Sequence, residues 1–144
     1  MARGFNVGLI EAILDELIGG SNANLLTFLP DPFYIGLSTT TPDTSGNNFT
    51  EPVGNGYARV SSAHAAYDPA GTTVAGRKDN TAAITGWTAS GGGWGSITHW
   101  GLFALGSGGT PVVWGSLDTP RTILDGDDYE FPANGLRTAL ANQA

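Results

Sequence analysis

The chain has 144 residues, six Lys and Arg against 13 Asp and Glu, a net charge of −7 and no cysteine. That excludes disulfides and cysteine-built metal sites, and the scattered bases Arg3, Arg59, Arg77, Lys78, Arg121 and Arg137 lack the clustering that nucleic-acid phosphates require. Only 13% of residues are charged and 22 are Gly, against averages of about 25% and about 7%, so surface polarity falls to Ser, Thr, Asn and Gly, as suits a protein that spends its surface on contacts with other chains.

The first predicted element is a helix, in which Val7, Ile10, Ile13, Leu14, Leu17 and Ile18 recur at spacings of three and four and so stack on one face. Asn6 can cap its start and Gly19-Gly20 can end it. So short a helix is marginal in water alone, so its stripe must dock on its own domain or on a neighbour. Asp15 and Glu16 lie near the negative end of the helix, a placement the macrodipole disfavours.

After a linker ending at Pro30-Asp31-Pro32 the pattern changes to period 2, and Phe33–Ser38 reads as a strand. Thr39–Gly56 is rich in Thr, Pro, Asp, Ser, Gly and Asn. It reads as a long exposed loop, longer than the usual structureless connection and therefore either mobile or held by a partner. Further strands are expected at Tyr57–Ala63, Thr72–Ala75, Asn80–Thr85, Ile97–Leu105, Thr110–Leu117, Arg121–Leu124, Asp128–Phe131 and Leu136–Leu140.

Within this series, Trp94–Leu117 reads as one long hairpin that reverses at Gly106-Ser107-Gly108-Gly109. Both faces of its first strand carry bulk, so it must be covered on both sides. The dipeptides Trp94-Gly95, Trp100-Gly101 and Trp114-Gly115 suggest indoles packed against close backbone. The fold class that follows is mainly β, an antiparallel β-sandwich or jelly roll with a short N-terminal α-helix. A single domain over 1–144 is expected, with helix and linker in 1–30 and the sandwich in 31–144. No apolar run reaches the ~18–20 residues of a membrane span, and the start has no signal-peptide pattern, so a soluble product is expected, with no membrane partner.

Candidate chemistry is sparse. Asp125, Asp127, Asp128 and Glu130 crowd four carboxylates into six residues, but the calcium-loop pattern fails because Glu130 stands where glycine is needed and Leu136 where the final acid belongs. A plain turn is the better reading. Ser96 and His99 fall on opposite faces of a regular strand, which is wrong for a proton relay, so His99 reads as a structural histidine. His64 has no nearby companion, and Asn48-Phe49-Thr50 is a chance sequon without a secretory route. Gly91-Gly92-Gly93 opens a strand instead of a helix, so it is a turn and not a phosphate loop. No catalytic residue, metal site or cofactor is expected. Tyr57, Trp87, Trp94 and Trp100 could form a stacking platform for sugar rings, although tryptophan in a sandwich is more often core.

From Tyr34 to Leu140 the chain resembles a family of small tailed-bacteriophage virion structural proteins, the head-decoration (cement) or tail-fibre-like proteins. The resemblance lies in Tyr34-Ile35-Gly36-Leu37-Ser38-Thr39 with Pro42-Asp43, Gly56-Tyr57-Ala58-Arg59-Val60, the run Trp94–Phe103, Trp114-Gly115-Ser116-Leu117 and Thr119-Pro120-Arg121. It implies a non-enzymatic β-rich protein, made in the host cytoplasm, repeated on the virion and often a homotrimer, with the major capsid protein or other virion proteins as partners. Since a receptor-reaching fibre needs a shaft and a tip, size favours a decoration protein on the outside of the head, with a tail-fibre or host-adhesion module as the alternative. The expected assembly contacts are Ile10, Ile13 and Leu17 on the helix, with Pro42, Asp43 and Phe49 on the long loop.

Overall fold

A computed structural model of the chain describes residues 13–19, 28–69 and 76–139. The molecule is mainly β, and residues 13–17 are helical, as the periodicity predicts. In chain order the strands are β1 (Phe33–Ser38), β2 (Val60–Ser62), β3 (Arg77–Asp79), β4 (Ile84–Thr88), β5 (Gly95–Phe103), β6 (Val113–Ile123), β7 (Asp128–Phe131) and β8 (Arg137–Ala139). They form a four-stranded sheet in the order β2-β1-β5-β6 and two ribbons, β3-β8 and β4-β7. The pairings β1–β2, β1–β5, β3–β8 and β5–β6 are antiparallel. Contacts divide the chain into two compact units, one of Met1–Asp31, Ala63–Ile84 and Phe131–Ala144, the other of Pro32–Ser62 and Thr85–Glu130.

In the first unit, Leu14 and Ile18 are fully buried while Ile13 is 39% exposed, so the helical stripe docks on its own chain and leaves one flank open. Asp15 has a structural reason to stand near the helix end. Its Oδ1 lies 3.0 Å from Nζ of Lys78 on β3, and Lys78 is only 3% exposed, so the carboxylate partners a buried ammonium that would otherwise go uncompensated. Where one strand is predicted over Asn80–Thr85, the chain instead bends after β3 and restarts at β4. Asn80 causes the break. Fully buried, its amide donates to the carbonyls of Ala82 (2.7 Å) and Pro132 (2.8 Å) and accepts from Leu136 N–H (2.8 Å), holding a bend that a straight strand could not make. His64 is buried as well, with Nε2 3.1 Å from the Leu29 carbonyl. The predicted strand Thr72–Ala75 and Ile10 lie outside the described residues.

The second unit is built on the central pair β1 and β5, where Ile35 faces Leu102, Gly36 faces Gly101 and Leu37 faces Trp100. Opposed residues share a face, so Ile35, Leu37, Trp100 and Leu102, all buried, form one apolar side. On the same side Trp100 faces Gly115 of β6, and a Cβ added at Gly115 would lie 2.8 Å from the indole, so the missing side chain is what lets the ring lie over that backbone. The two strands predicted at Thr110–Leu117 and Arg121–Leu124 are one continuous β6. Its register against β5 jumps between Ile97 and His99, so that Ile97 pairs with Arg121 but His99 with Ser116. Pro120 lies in that irregular stretch of an outer strand, where its missing N–H costs no ladder bond.

Candidate functional site

The other face of the β1–β5 pair carries Tyr34, Gly36 and Ser38 beside Phe103, Gly101 and His99, and the long segment 39–59 lies on it. The expectation of a mobile or partner-held loop is corrected by three sets of contacts. Ser38 Oγ accepts from the N–H groups of Thr40 (3.1 Å) and Thr50 (2.9 Å), and Thr39 N–H donates to the Thr50 carbonyl (2.9 Å), which zips the base of a lobe. At the tip, Asp43 Oδ1 accepts from Ser45 and Asn47 N–H at 2.8 and 2.9 Å, an Asx turn closing the reversal. Over the sheet, Phe49 packs edge-on against Phe103 with ring centroids 5.1 Å apart. Pro42 is buried and Asp43 is exposed.

The return limb brings in Glu51, Tyr57 and Arg59. Arg59 donates from Nε and NH2 to the two oxygens of Glu51 at 2.9 and 2.7 Å, a bidentate pair, and from NH1 to the carbonyls of Leu105 (2.7 Å) and Gly108 (2.8 Å). Its guanidinium carbon stands 3.4 Å from the Phe103 ring centroid. Only 3% of its side chain is exposed, against 22% for Glu51. This one residue therefore ties the long segment to the turn between β5 and β6. Nothing local in Tyr57-Ala58-Arg59-Val60 marks it, because both carbonyls lie more than 40 residues away in sequence.

The proposed sugar platform is corrected too. Trp87, Trp94 and Trp100 are 1%, 6% and 6% exposed. Trp94 packs edge-on to Tyr57 at 5.4 Å and donates from Nε1 to the Asn55 carbonyl at 2.9 Å, while the Tyr57 hydroxyl accepts from Leu37 N–H and donates to Glu51 Oε1 at 2.8 and 2.7 Å. These rings are core.

The carboxylates of the predicted turn are engaged with backbone. Asp125 Oδ1 accepts from Gly91 and Gly92 N–H at 2.9 and 3.1 Å, and Asp127 Oδ2 from Leu124 N–H at 2.9 Å. His99 Nδ1 sits 2.8 Å from Thr98 Oγ1, and its partial burial lowers its pKa. Ser96 is exposed.

Among the described residues, an open groove of about 490 Å³ is lined by Thr85, Gly86, Trp87 and Thr88 of β4, Arg121 of β6, and Asp128, Tyr129 and Glu130 of β7. The strict alternation on β7, exposed Asp128 and Glu130 with buried Tyr129 and Phe131, points both carboxylates to one side. Thr88 Oγ1 donates to Asp128 Oδ1 at 2.6 Å. Trp87 and Tyr129 pack edge-on beneath, 6.0 Å between centroids, with Arg121 5.8 Å from the Tyr129 ring centroid. Asp128 and Glu130 were legible as a carboxylate-rich stretch, whereas Arg121 reaches the site through sheet pairing alone.

Burial pushes the Tyr129 phenol up to about 12, opposed in part by Arg121, and pushes Tyr57 above the ordinary phenol range, with the Glu51 charge adding to the rise. A raised folded pKa binds the proton longer than the unfolded chain does, so the stabilisation is complete below about pH 10 and is lost as pH climbs through the folded values. We expect alkaline titration followed by phenolate absorbance to show Tyr57 and Tyr129 ionising late, together with an unfolding free energy that falls as pH climbs above about 10. Tyr57 and Tyr129 titrating near pH 10 in the folded protein would contradict this.

A family model described as Podophage GP4 fiber I protein gp80 matches residues 6–139. No curated protein matches the chain.

Proposed function

Because the chain belongs to the podophage GP4 fiber I protein gp80 family of tailed-phage virion structural proteins, we propose that it is a subunit of a tail fibre. The observation that carries this is the extent of the family match, which runs from residue 6 to residue 139. A fibre description favours the tail alternative over the head-decoration role that chain length alone suggests. The protein works by association, with other virion proteins and with copies of itself, and has no catalytic role.

The fold is suited to such use. Each long connection in the second unit is fastened to its own sheet, so little chain must be ordered on assembly and the entropic cost of binding stays low. We place the assembly contacts on the helix stripe of Ile10, Ile13 and Leu17 and on the lobe in which Pro42 and Phe49 point inward and Asp43 outward. Repeated copies of a modest contact then give durable attachment through effective concentration. A homotrimer is the assembly we favour. The chain passes between its two units at four points, so neither is a continuous segment, and we treat residues 1–144 as one domain.

Labelled antibody on intact particles, viewed by electron microscopy, tests the reading. Label on the tail, with particles lacking the protein keeping their heat stability and losing adsorption to host cells, is the expected result. Label over the head, with a lowered rupture temperature and normal adsorption, would restore the decoration role.

A further inference from the structure

We propose that the loop cluster at the start of β5 is the end by which this chain docks on a different virion protein, presenting Val53 and Leu124 to an apolar socket bordered by Lys or Arg. This rests on the fibre reading for the assembly in which the contact occurs, and adds the surface and the chemistry of the partner.

Three connections of the second unit meet there: residues 52–56 ahead of β2, 89–94 between β4 and β5, and 124–127 between β6 and β7. Side chains and backbone lock them together. Asn55 donates from Nδ2 to the Gly93 carbonyl (3.0 Å), and its own carbonyl accepts from Ser90 N–H and Trp94 Nε1, both at 2.9 Å. Asp125 holds the N–H groups of Gly91 and Gly92, while Gly126 N–H donates to the Ala89 carbonyl and Ala89 N–H to the Asp127 carbonyl, each at 2.9 Å. The middle connection approaches both neighbours so closely that a Cβ at Gly92 would lie 2.8 Å from Asn55 Nδ2, and one at Gly93 2.5 Å from the Ile123 carbonyl oxygen.

Such fastening leaves little to order when a partner binds, yet it does not bury the apolar residues that the loops carry. Val53 is 92% exposed and Leu124 is 64% exposed. Of the three large apolar side chains that the second unit leaves exposed among the described residues, Val53, Leu105 and Leu124, two stand on this one cluster. Apolar side chains held out to solvent on rigid loops contribute nothing to the core and are the kind of anchor that fills a partner's pocket.

Charge identifies the partner. Asp125, Asp127 and Asp128 follow Leu124 and make no ion pair among the described residues, and backbone N–H groups fix the carboxylates of the first two in place. A surface bearing Lys or Arg around an apolar socket meets these charges favourably, whereas an acidic one is repelled. A second copy is a poor match, because the chain carries −7 and three of its six bases, Arg59, Arg77 and Lys78, are taken up in its own ion pairs.

The test is a benzophenone side chain introduced by substitution at Ser90, exposed on the cluster, and separately at Ser107, exposed on the turn at the other end of β5, in phage particles assembled with the full-length protein and then illuminated. From Ser90 a covalent link to a different virion protein is expected, through a peptide in which Lys or Arg adjoins apolar residues, and from Ser107 roughly tenfold less of it. Val53→Glu and Leu124→Glu should weaken that link roughly tenfold or more or remove the protein from the particle. The purified variants should keep the thermal midpoint and oligomeric state of the wild type, since both side chains are exposed, which separates lost docking from lost folding. Linking only between copies, equal linking from Ser107, an acidic linked segment, or an undiminished link in Leu124→Glu would overturn the site. Label on the tail without the link removes the docking end and leaves the fibre reading intact, whereas the link on particles labelled over the head does the reverse.

Discussion

Arg59→Met is expected to destabilise the second unit by about 3 kcal/mol, the lower end of the usual cost of stranding one partner of a buried ion pair, since Glu51 is 22% exposed. The Met stem can fill much of the volume of the Arg stem, so the loss is electrostatic. Glu51 would keep its charge beside the Tyr57 hydroxyl with its bidentate partner gone. The carbonyls of Leu105 and Gly108, which accept from NH1, would lose their donor in the same step. At about 2–4 °C per kcal/mol for a chain of this size, the thermal midpoint should fall by roughly 10 °C. Arg59→Lys should recover only part, since an ammonium keeps the charge but cannot span a carboxylate and two carbonyls with one planar fork. Because the pair is buried, added salt should change the difference little. A loss under about 1 kcal/mol, erased by salt, would show that Arg59 behaves as an ordinary surface charge.

The same residue shows where the sequence stops being readable. Period 2 marks β1 and β7 with correct bounds, and the period of three and four marks the helical segment, because these signals are local. The long hairpin is legible for the same reason, and so is the demand that its first strand be covered on both sides. What covers it is not. Phe49, Glu51 and Arg59 occur in a stretch whose composition says loop, and the contacts that fix them join positions up to 49 residues apart. The gap left between the strands predicted at Thr110–Leu117 and Arg121–Leu124 is bridged by one β6, since a proline is harmless at an irregular point of an outer strand. In the groove, the carboxylates of β7 can be read from alternation, while Arg121 arrives only through a register that no local pattern encodes.

Gly101→Val carries the second large effect. Gly36 and Gly101 face each other across β1 and β5, and their missing side chains make the trough into which the long segment settles. A Cβ added at Gly101 would stand 2.8 Å from Phe49 Cε2, 2.9 Å from Pro111 Cβ and 3.1 Å from Phe103 Cε2; at Gly36 it would stand 2.7 Å from Glu51 Oε1 and 2.9 Å from Phe103 Cε2. Neither glycine has the positive φ that would strain a side chain, so the obstacle is space and not backbone conformation. Strand propensity runs the other way, since valine suits a strand better than glycine does. Overpacking of about 1–3 kcal/mol must outweigh that gain, and it does so because Phe49 and Phe103 are already in edge contact, so neither ring can yield toward the other. The least costly relaxation lifts Phe49 and with it the lobe. Gly101→Val should therefore lower the thermal midpoint and open residues 40–50 to limited proteolysis, while the β5–β6 pairing persists. Combined with Gly36→Ala the cost should be less than the sum, because both substitutions press on the same Phe103 ring and one displacement relieves both. Full additivity, or a protease-resistant lobe in Gly101→Val, would mean that the segment is held by its base and tip alone and that the glycine trough plays no part.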